Sequence, residues 1–249
     1  MRKLGLKLVL AAASFAGLLA TTSAAYADVA LSGYVALTSD YRFRGISQND
    51  LSWAPQGSIN ATIDDGWYVG AWASKINWVF TTTSYELDLY GGKHFDLGGT
   101  DLNLEAYYYA YPDNPGGVSA SYFEGIAQVT HSFDKLTLMG SLNVSPDFSF
   151  ETGTSVYLAG TATYAINDWL SVSGNLGHQW VNSALPEYTY ADIGATASYA
   201  NFSLDLRYSG TDMGVARCAA YMGDPTRTCK GGFVATLTYN FADLLHPFK

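Results

Sequence analysis

At 249 residues the chain has room for one large or two small domains, and no Pro/Gly/Ser-rich linker or shift in composition divides it. Its 13 basic residues stand against 22 acidic ones, a formal net charge of −9, so it lacks the basic footprint that nucleic-acid binding requires. Only 14% of the residues are charged while 15% are aromatic, a poor recipe for a water-facing surface.

Residues 1–27 read as a cleaved secretory signal peptide. Arg2, Lys3 and Lys7 form a basic start, Leu8 to Ala20 is apolar, and Ala25-Tyr26-Ala27 offers the small-x-small cleavage site, with Ala25 and Ala27 as its small residues. The apolar stretch falls short of the ~20 residues of a membrane helix, and no later stretch reaches that length. Cleavage would leave ten bases against 22 acids, a net charge of −12.

Twelve runs of alternating apolar and polar residues follow. The first, Val29–Gln48, ends in an unusually charged stretch. The second, Pro55–Asp64, sets Gly57, Ile59 and Ala61 against Gln56, Ser58 and Asn60, and Trp67–Trp78 comes next. The fourth, Tyr85–Leu97, carries Glu86 and Asp88 on its polar face. The fifth, Asp101–Tyr111, sets Leu102, Leu104 and Ala106 against Asp101, Asn103 and Glu105. Tyr122–Phe133, Leu136–Val144, Val156–Ile166, Trp169–Val181 and Tyr188–Ala200 continue the pattern. Phe202–Asp212 then sets Leu204 and Leu206 against Asp205 and Arg207, and Gly232–Phe241 closes the series before a short tail, 242–249.

The gaps between runs alternate strictly, one to three residues after even runs and six to nineteen after odd ones. That is the layout of an all-β fold: a single closed, antiparallel, up-and-down transmembrane β-barrel of about 12 strands over residues 28–249, with tight turns at one rim and longer loops at the other. Run length fits, since a tilted spanning strand needs ~9–11 residues. Trp67, Trp78, Phe133, Trp169, Trp180 and Phe202 lie near run ends, where an interfacial girdle of rings belongs. An even strand number puts both termini on the short-turn side, which faces the periplasm in the outer membrane of a Gram-negative bacterium. Outer-membrane lipid is then the surrounding partner. Neither a cofactor nor a metal site is expected.

Cys218 and Cys229 are the only cysteines and share the longest gap. In an exported chain they read as a disulfide closing an outer hairpin; metal binding is the alternative, and two thiolates with no His nearby make a poor zinc site.

Thr38-Ser39-Asp40-Tyr41-Arg42-Phe43-Arg44-Gly45-Ile46-Ser47-Gln48 is the least degenerate stretch. Continued alternation places Tyr41 and Phe43 on the lipid face and Asp40, Arg42 and Arg44 inside. The stretch resembles the signature of the TorF-like family of proteobacterial porins, also called Gcw_chp. Gly66–Ser74 and Glu86–Gly92 resemble that family's next two blocks, and the similarity covers about Val29 to Phe241. The resemblance implies an outer-membrane barrel with a channel role.

Alternation places eight acids in the lumen (Asp40, Glu86, Asp88, Asp101, Glu105, Glu124, Asp192, Asp205) against three bases (Arg42, Arg44, Arg207). The functional reading is a channel for passive diffusion of small hydrophilic solutes through a charge-lined lumen, in which Arg42 and Arg44 face Glu86 and Asp88 near the outer mouth. A structural reading of the same residues is acid–arginine networks that brace the wall. Two further classes remain: a closed structural or adhesive barrel without conductance, and a lipid-acting enzyme using His178 with Ser173, although no nucleophile motif supports the latter.

Overall fold

A computed structural model of the protein describes residues 29–78, 81–112, 118–182, 185–223 and 227–242. The signal-peptide assignment for residues 1–27 and the tail from 243 onward lie outside the described residues, as does most of the 112–117 loop.

In chain order the elements are β1 (Ala30–Thr38), β2 (Arg42–Phe43), β3 (Ile46–Ser47), β4 (Ala54–Thr62), β5 (Trp67–Lys75), β6 (Tyr85–Asp96), β7 (Thr100–Ala110), β8 (Tyr122–Phe133), β9 (Leu136–Ser145), β10 (Ser155–Asn167), β11 (Leu170–Val181), β12 (Tyr188–Tyr199), β13 (Phe202–Thr211), α1 (Val215–Met222) and β14 (Gly232–Ala242). β1 and β4–β14 form a closed barrel of twelve strands, each antiparallel to both neighbours. Closure is made by β1 against β14, in register from Ser32 opposite Ala242 to Thr38 opposite Thr236. A closed sheet leaves no unpaired edge, so each spanning strand satisfies its backbone groups internally.

The two faces separate as period two requires. Val35, Leu37, Ile59, Val69, Leu89, Leu176 and Leu206 are among the large apolar side chains left exposed on the outside, while Glu86, Asp88, Asn103, Glu124 and Gln179 are buried within. A continuous apolar exterior around a polar interior matches hydrocarbon outside and water or paired charge inside. The short turns carry their own logic. Asp96 Oδ1 accepts the backbone N–H groups of Gly98 and Gly99, both at 3.0 Å. Gly66 sits at φ +81° where a Cβ would lie 2.6 Å from the His94 carbonyl oxygen, so both conformation and space demand glycine.

At the first long loop the structure departs from the alternation reading. β1 stops at Thr38, and Asp40–Asn49 leaves the wall and folds into the lumen, where β2 and β3 pair as a small hairpin, before the exposed stretch Asp50–Trp53 leads to β4. Arg44 (φ +48°) and Gly45 (φ +84°) reverse the chain, and the Gln48 N–H donates to the Tyr41 carbonyl at 2.7 Å. Tyr41 and Phe43 therefore lie inside the barrel rather than on the lipid face. Tyr41 packs edge-on against Trp72 (5.3 Å between ring centroids) and Phe43 against Tyr109 (5.6 Å). The physical reason is charge. Asp40, Arg42 and Arg44 crowd within five residues, and only the interior offers each of them a partner.

The last long loop also differs from a plain hairpin. It contains α1, built from the helix formers Ala216, Arg217, Ala219, Ala220 and Met222 and ended by Gly223 at φ +70°. The Cys218–Cys229 disulfide is present, with Cα atoms 5.8 Å apart. Tyr221 anchors the helix by donating to the Pro186 carbonyl at 2.8 Å, and burial holds its phenol pKa above the ordinary value, so it stays a donor. At this end of the barrel Ile46, Ile76, Trp78, Tyr122, Phe148, Met213, Met222 and the disulfide form one buried cluster across the lumen.

Candidate functional site: the occupied lumen

The inward segment is pinned at two points by arginine. Arg42 Nε donates to Asp40 Oδ2 at 2.7 Å, and its Nη1 reaches the carbonyls of Gly45, Ser209 and Lys230 at 3.1, 3.1 and 2.8 Å. Asp40 is held in turn by the Ser47 hydroxyl at 2.6 Å. Arg44 extends to the opposite wall, where its Nη2 donates to Glu124 Oε2 at 2.7 Å and its Nη1 to Gln179 Oε1. The guanidinium also stacks 4.0 Å from the Tyr157 ring centroid. Backbone bonds add to these: the Ser47 N–H donates to the Thr228 carbonyl at 2.9 Å, and the Asn77 N–H to the Gln48 carbonyl at 2.9 Å. The disulfide loop thus braces the segment from the side of its residues 228–230.

Asp40, Arg42 and Arg44 are therefore lumenal, but on the inward segment instead of a strand. Arg44 pairs with Glu124 on β8, not with Glu86 and Asp88. Those two acids sit on β6 near the long-loop end, with Glu105 on β7 lower on the same wall, and none of the three forms an ion pair among the described residues. Across the barrel, Arg207 on β13 bonds both oxygens of Asp205, each at 3.0 Å, and pairs with Asp192 on β12. Parity along the strands identified the lumen side of Glu86, Asp88, Glu105, Asp205 and Arg207. Gln179, the second acceptor for Arg44, was equally lumenal by parity, but nothing in its type distinguished it. Trp72 and Tyr107 were likewise missed as lumen residues that matter.

Two cavities flank the segment. One, of about 290 Å³, is lined by Arg42, Arg44 and Arg207 with Asp40, Asp192 and Asp205. The other, of about 450 Å³, is lined by Asp88 and Glu105 with Tyr34, Tyr41, Trp72, Tyr90 and Tyr107, and contains no base. Tyr41 and Trp72 border both, so this ring pair is the partition between a mixed-charge chamber and an acidic, aromatic one.

Ser173 and His178 point to opposite faces of β11. The Ser173 hydroxyl accepts from Arg207 Nη2 at 3.2 Å, whereas His178 Nδ1 meets the Thr189 hydroxyl at 2.8 Å, so they form no dyad. Among the described residues no three His, Cys, Asp or Glu side chains are placed to hold a metal ion.

Similar proteins share this architecture. A KdgM porin structure superposes with a TM-score of 0.58 at 7% identity, covering 85% of this chain and 99% of the other. A chain reported under "Unveiling the Mechanism Behind the in-meso Crystallization of Membrane Proteins" gives 0.51 at 7% identity over 86% and 83%. An outer-membrane channel from Pseudomonas putida F1 gives 0.49 at 12% identity over 89% and 99%. At such identities the likeness of the first two is one of fold alone. No curated protein matches the sequence. The family described as "Bacterial protein of unknown function (Gcw_chp)" matches residues 22–241, so the chain belongs to the Gcw_chp family.

Proposed function

We propose that the protein is a channel of the bacterial outer membrane, passing small hydrophilic solutes by passive diffusion, with its termini and short turns on the periplasmic side. The observation that carries this reading is the interior: two chambers of about 290 and 450 Å³, lined by charge and divided by the Tyr41–Trp72 pair. Asp40, Arg42, Arg44, Asp205 and Arg207 sort solutes on one side of the partition, and Asp88 and Glu105 on the other, with Glu86 adding its charge from behind the wall. Opposite walls of different charge orient a dipolar solute as it passes. Solutes must be small, because the inward segment lies within the bore between the two chambers. Swelling of proteoliposomes tests this. Uptake should fall steeply with solute mass among uncharged sugars, and vesicles with protein should exceed those without.

One observation favours a second reading. Ile46, Trp78, Phe148 and Met222 meet in a buried cluster across the outer end, which would suit a closed structural or adhesive barrel. No swelling for any solute, and no conductance in planar bilayers, would decide for it.

A further inference from the structure

Positive and negative charge are unequally settled inside this barrel. Each lumenal arginine has a carboxylate: Arg42 has Asp40, Arg44 has Glu124, and Arg207 has Asp192 and Asp205. Glu86, Asp88 and Glu105, on the neighbouring strands β6 and β7, have no cation among the described residues. Asp88 is only 2% exposed; its Oδ2 accepts from the Tyr107 hydroxyl at 2.9 Å, while its Oδ1 has no hydrogen-bond partner. Glu86, 1% exposed, lies behind it on the same strand without a counter-charge among the described residues. Withdrawing a carboxylate from water without a counter-charge and with one oxygen unbonded is unfavourable, so the wall can accept a further donor.

What would complete it is set by the rest of the 450 Å³ cavity that Asp88 and Glu105 line. Its other lining is rich in rings, including Trp72, Tyr34 and a stacked Tyr90–Tyr107 pair with centroids 5.0 Å apart, with the neutral polar Ser58, Asn60 and Gln128 between them. An anion is repelled. A hard metal ion asks for a shell of about six or more oxygens, and among the described residues no three His, Cys, Asp or Glu side chains are placed to hold one. An alkylammonium fits both parts, since its N–H groups donate to the carboxylate and its stem lies on the rings, where a cation is also attracted. The wall offers a second anion: Gly92 pairs with Glu105 and Asp88 with Tyr109, so Glu105 sits four positions further along, about 14 Å at ~3.4 Å per residue.

We propose that the β6–β7 wall of the lumen is a binding site for small organic ammonium ions, with Asp88 accepting the ammonium and Glu105 engaging a second amine where the ligand has one. This names the solute class for the channel proposed above and rests on that reading only for transport; occupancy itself is independent of it.

Titration of the folded mature barrel in detergent tests the site, with n-butylammonium, spermidine and uncharged n-butanol as probes and Trp72 fluorescence or heat as the signal. Both amines should bind saturably, spermidine the tighter, and n-butanol should not compete. Asp88→Asn should weaken butylammonium by at least about thirtyfold, the loss typical of one partner in a buried charged hydrogen bond. If that variant does not yield an SDS-resistant barrel, Glu105→Gln decides instead, and should weaken spermidine several-fold more than butylammonium. Absence of amine binding, equal binding of n-butanol, or amine affinities unchanged by the variant tested would overturn the proposal. Binding to a barrel that conducts nothing would keep the site and remove the channel, whereas conduction without amine binding would remove the site alone.

Discussion

Replacing Arg44 with alanine should free the inward segment while leaving the barrel standing. The side chains of Arg44 and Glu124 are 5% and 0% exposed, and their contact at 2.7 Å is the segment's one ion pair to the far wall among the described residues. Without Arg44, Glu124 Oε2 keeps only neutral donors, the Asn143 amide at 3.2 Å and the Tyr109 hydroxyl at 3.3 Å. Breaking a buried pair by removing one partner costs about 3–5 kcal/mol. At about 1.4 kcal/mol per factor of ten, even the lower figure shifts a local equilibrium roughly a hundredfold. The segment is held mainly by side chains and the barrel by twelve laddered strands, so release of the segment is the easier response. Hydrogen exchange read by mass spectrometry should show the Tyr41–Gln48 amides losing protection while β6–β8 amides keep theirs, and single-channel conductance should rise. The double variant Arg44→Met with Glu124→Met should recover much of the protection, because a buried pair replaced by apolar groups is often neutral. Unchanged exchange in Arg44→Ala, or loss of protection across segment and barrel together, would refute the pinning argument.

Three more outcomes follow from the same geometry. In Gly45→Ala the added Cβ would lie 2.8 Å from Tyr190 Cβ and 2.9 Å from Thr211 Cγ2 at a φ of +84°, so the turn should be displaced at a cost of about 2–4 kcal/mol and protease access to Tyr41–Gln48 should increase. Cys218→Ser with Cys229→Ser should still give a heat-modifiable, SDS-resistant barrel, but with noisier conductance, since Thr228 and Lys230 in that loop hold Ser47 and Arg42; failure to form the barrel would contradict this. Arg42→Gln leaves Asp40, Asp192 and Asp205 around the smaller cavity with one base fewer, so the reversal potential in a salt gradient should move toward cations, and the shift should shrink as the screening length falls below ~10 Å above 0.1 M salt.

Period two was enough to read most of the barrel from the sequence. Twelve strands, their faces, the tight turns and the closure of the disulfide loop all follow from alternation, turn residues and cysteine placement, because a spanning strand must put apolar groups outward and satisfy its backbone laterally. The same rule misplaced Asp40–Gln48. Alternation describes which side of a strand a residue takes, and says nothing about whether the chain is still in the wall. Tyr41 and Phe43 keep the spacing of lipid-facing residues while packing on Trp72 and Tyr109 inside. The signal available was local: three charges in five residues followed by Arg44-Gly45, a turn pair, where the wall would need to run straight. Helix α1 escaped notice because a single eight-residue helix inside a long gap leaves no periodic trace. Arg44's partners depended on a fold-back across the lumen, which strand parity does not encode.

The account's central claim is that the signature segment sits inside the bore and limits what passes. Single-channel recording in planar bilayers tests it most directly, comparing the wild-type barrel with one in which Tyr41–Gln48 is replaced by a glycine–serine loop of equal length. The wild type should show a small, stable conductance and the variant a several-fold larger one in the same salt. Equal conductances, or silence from both barrels, would contradict it.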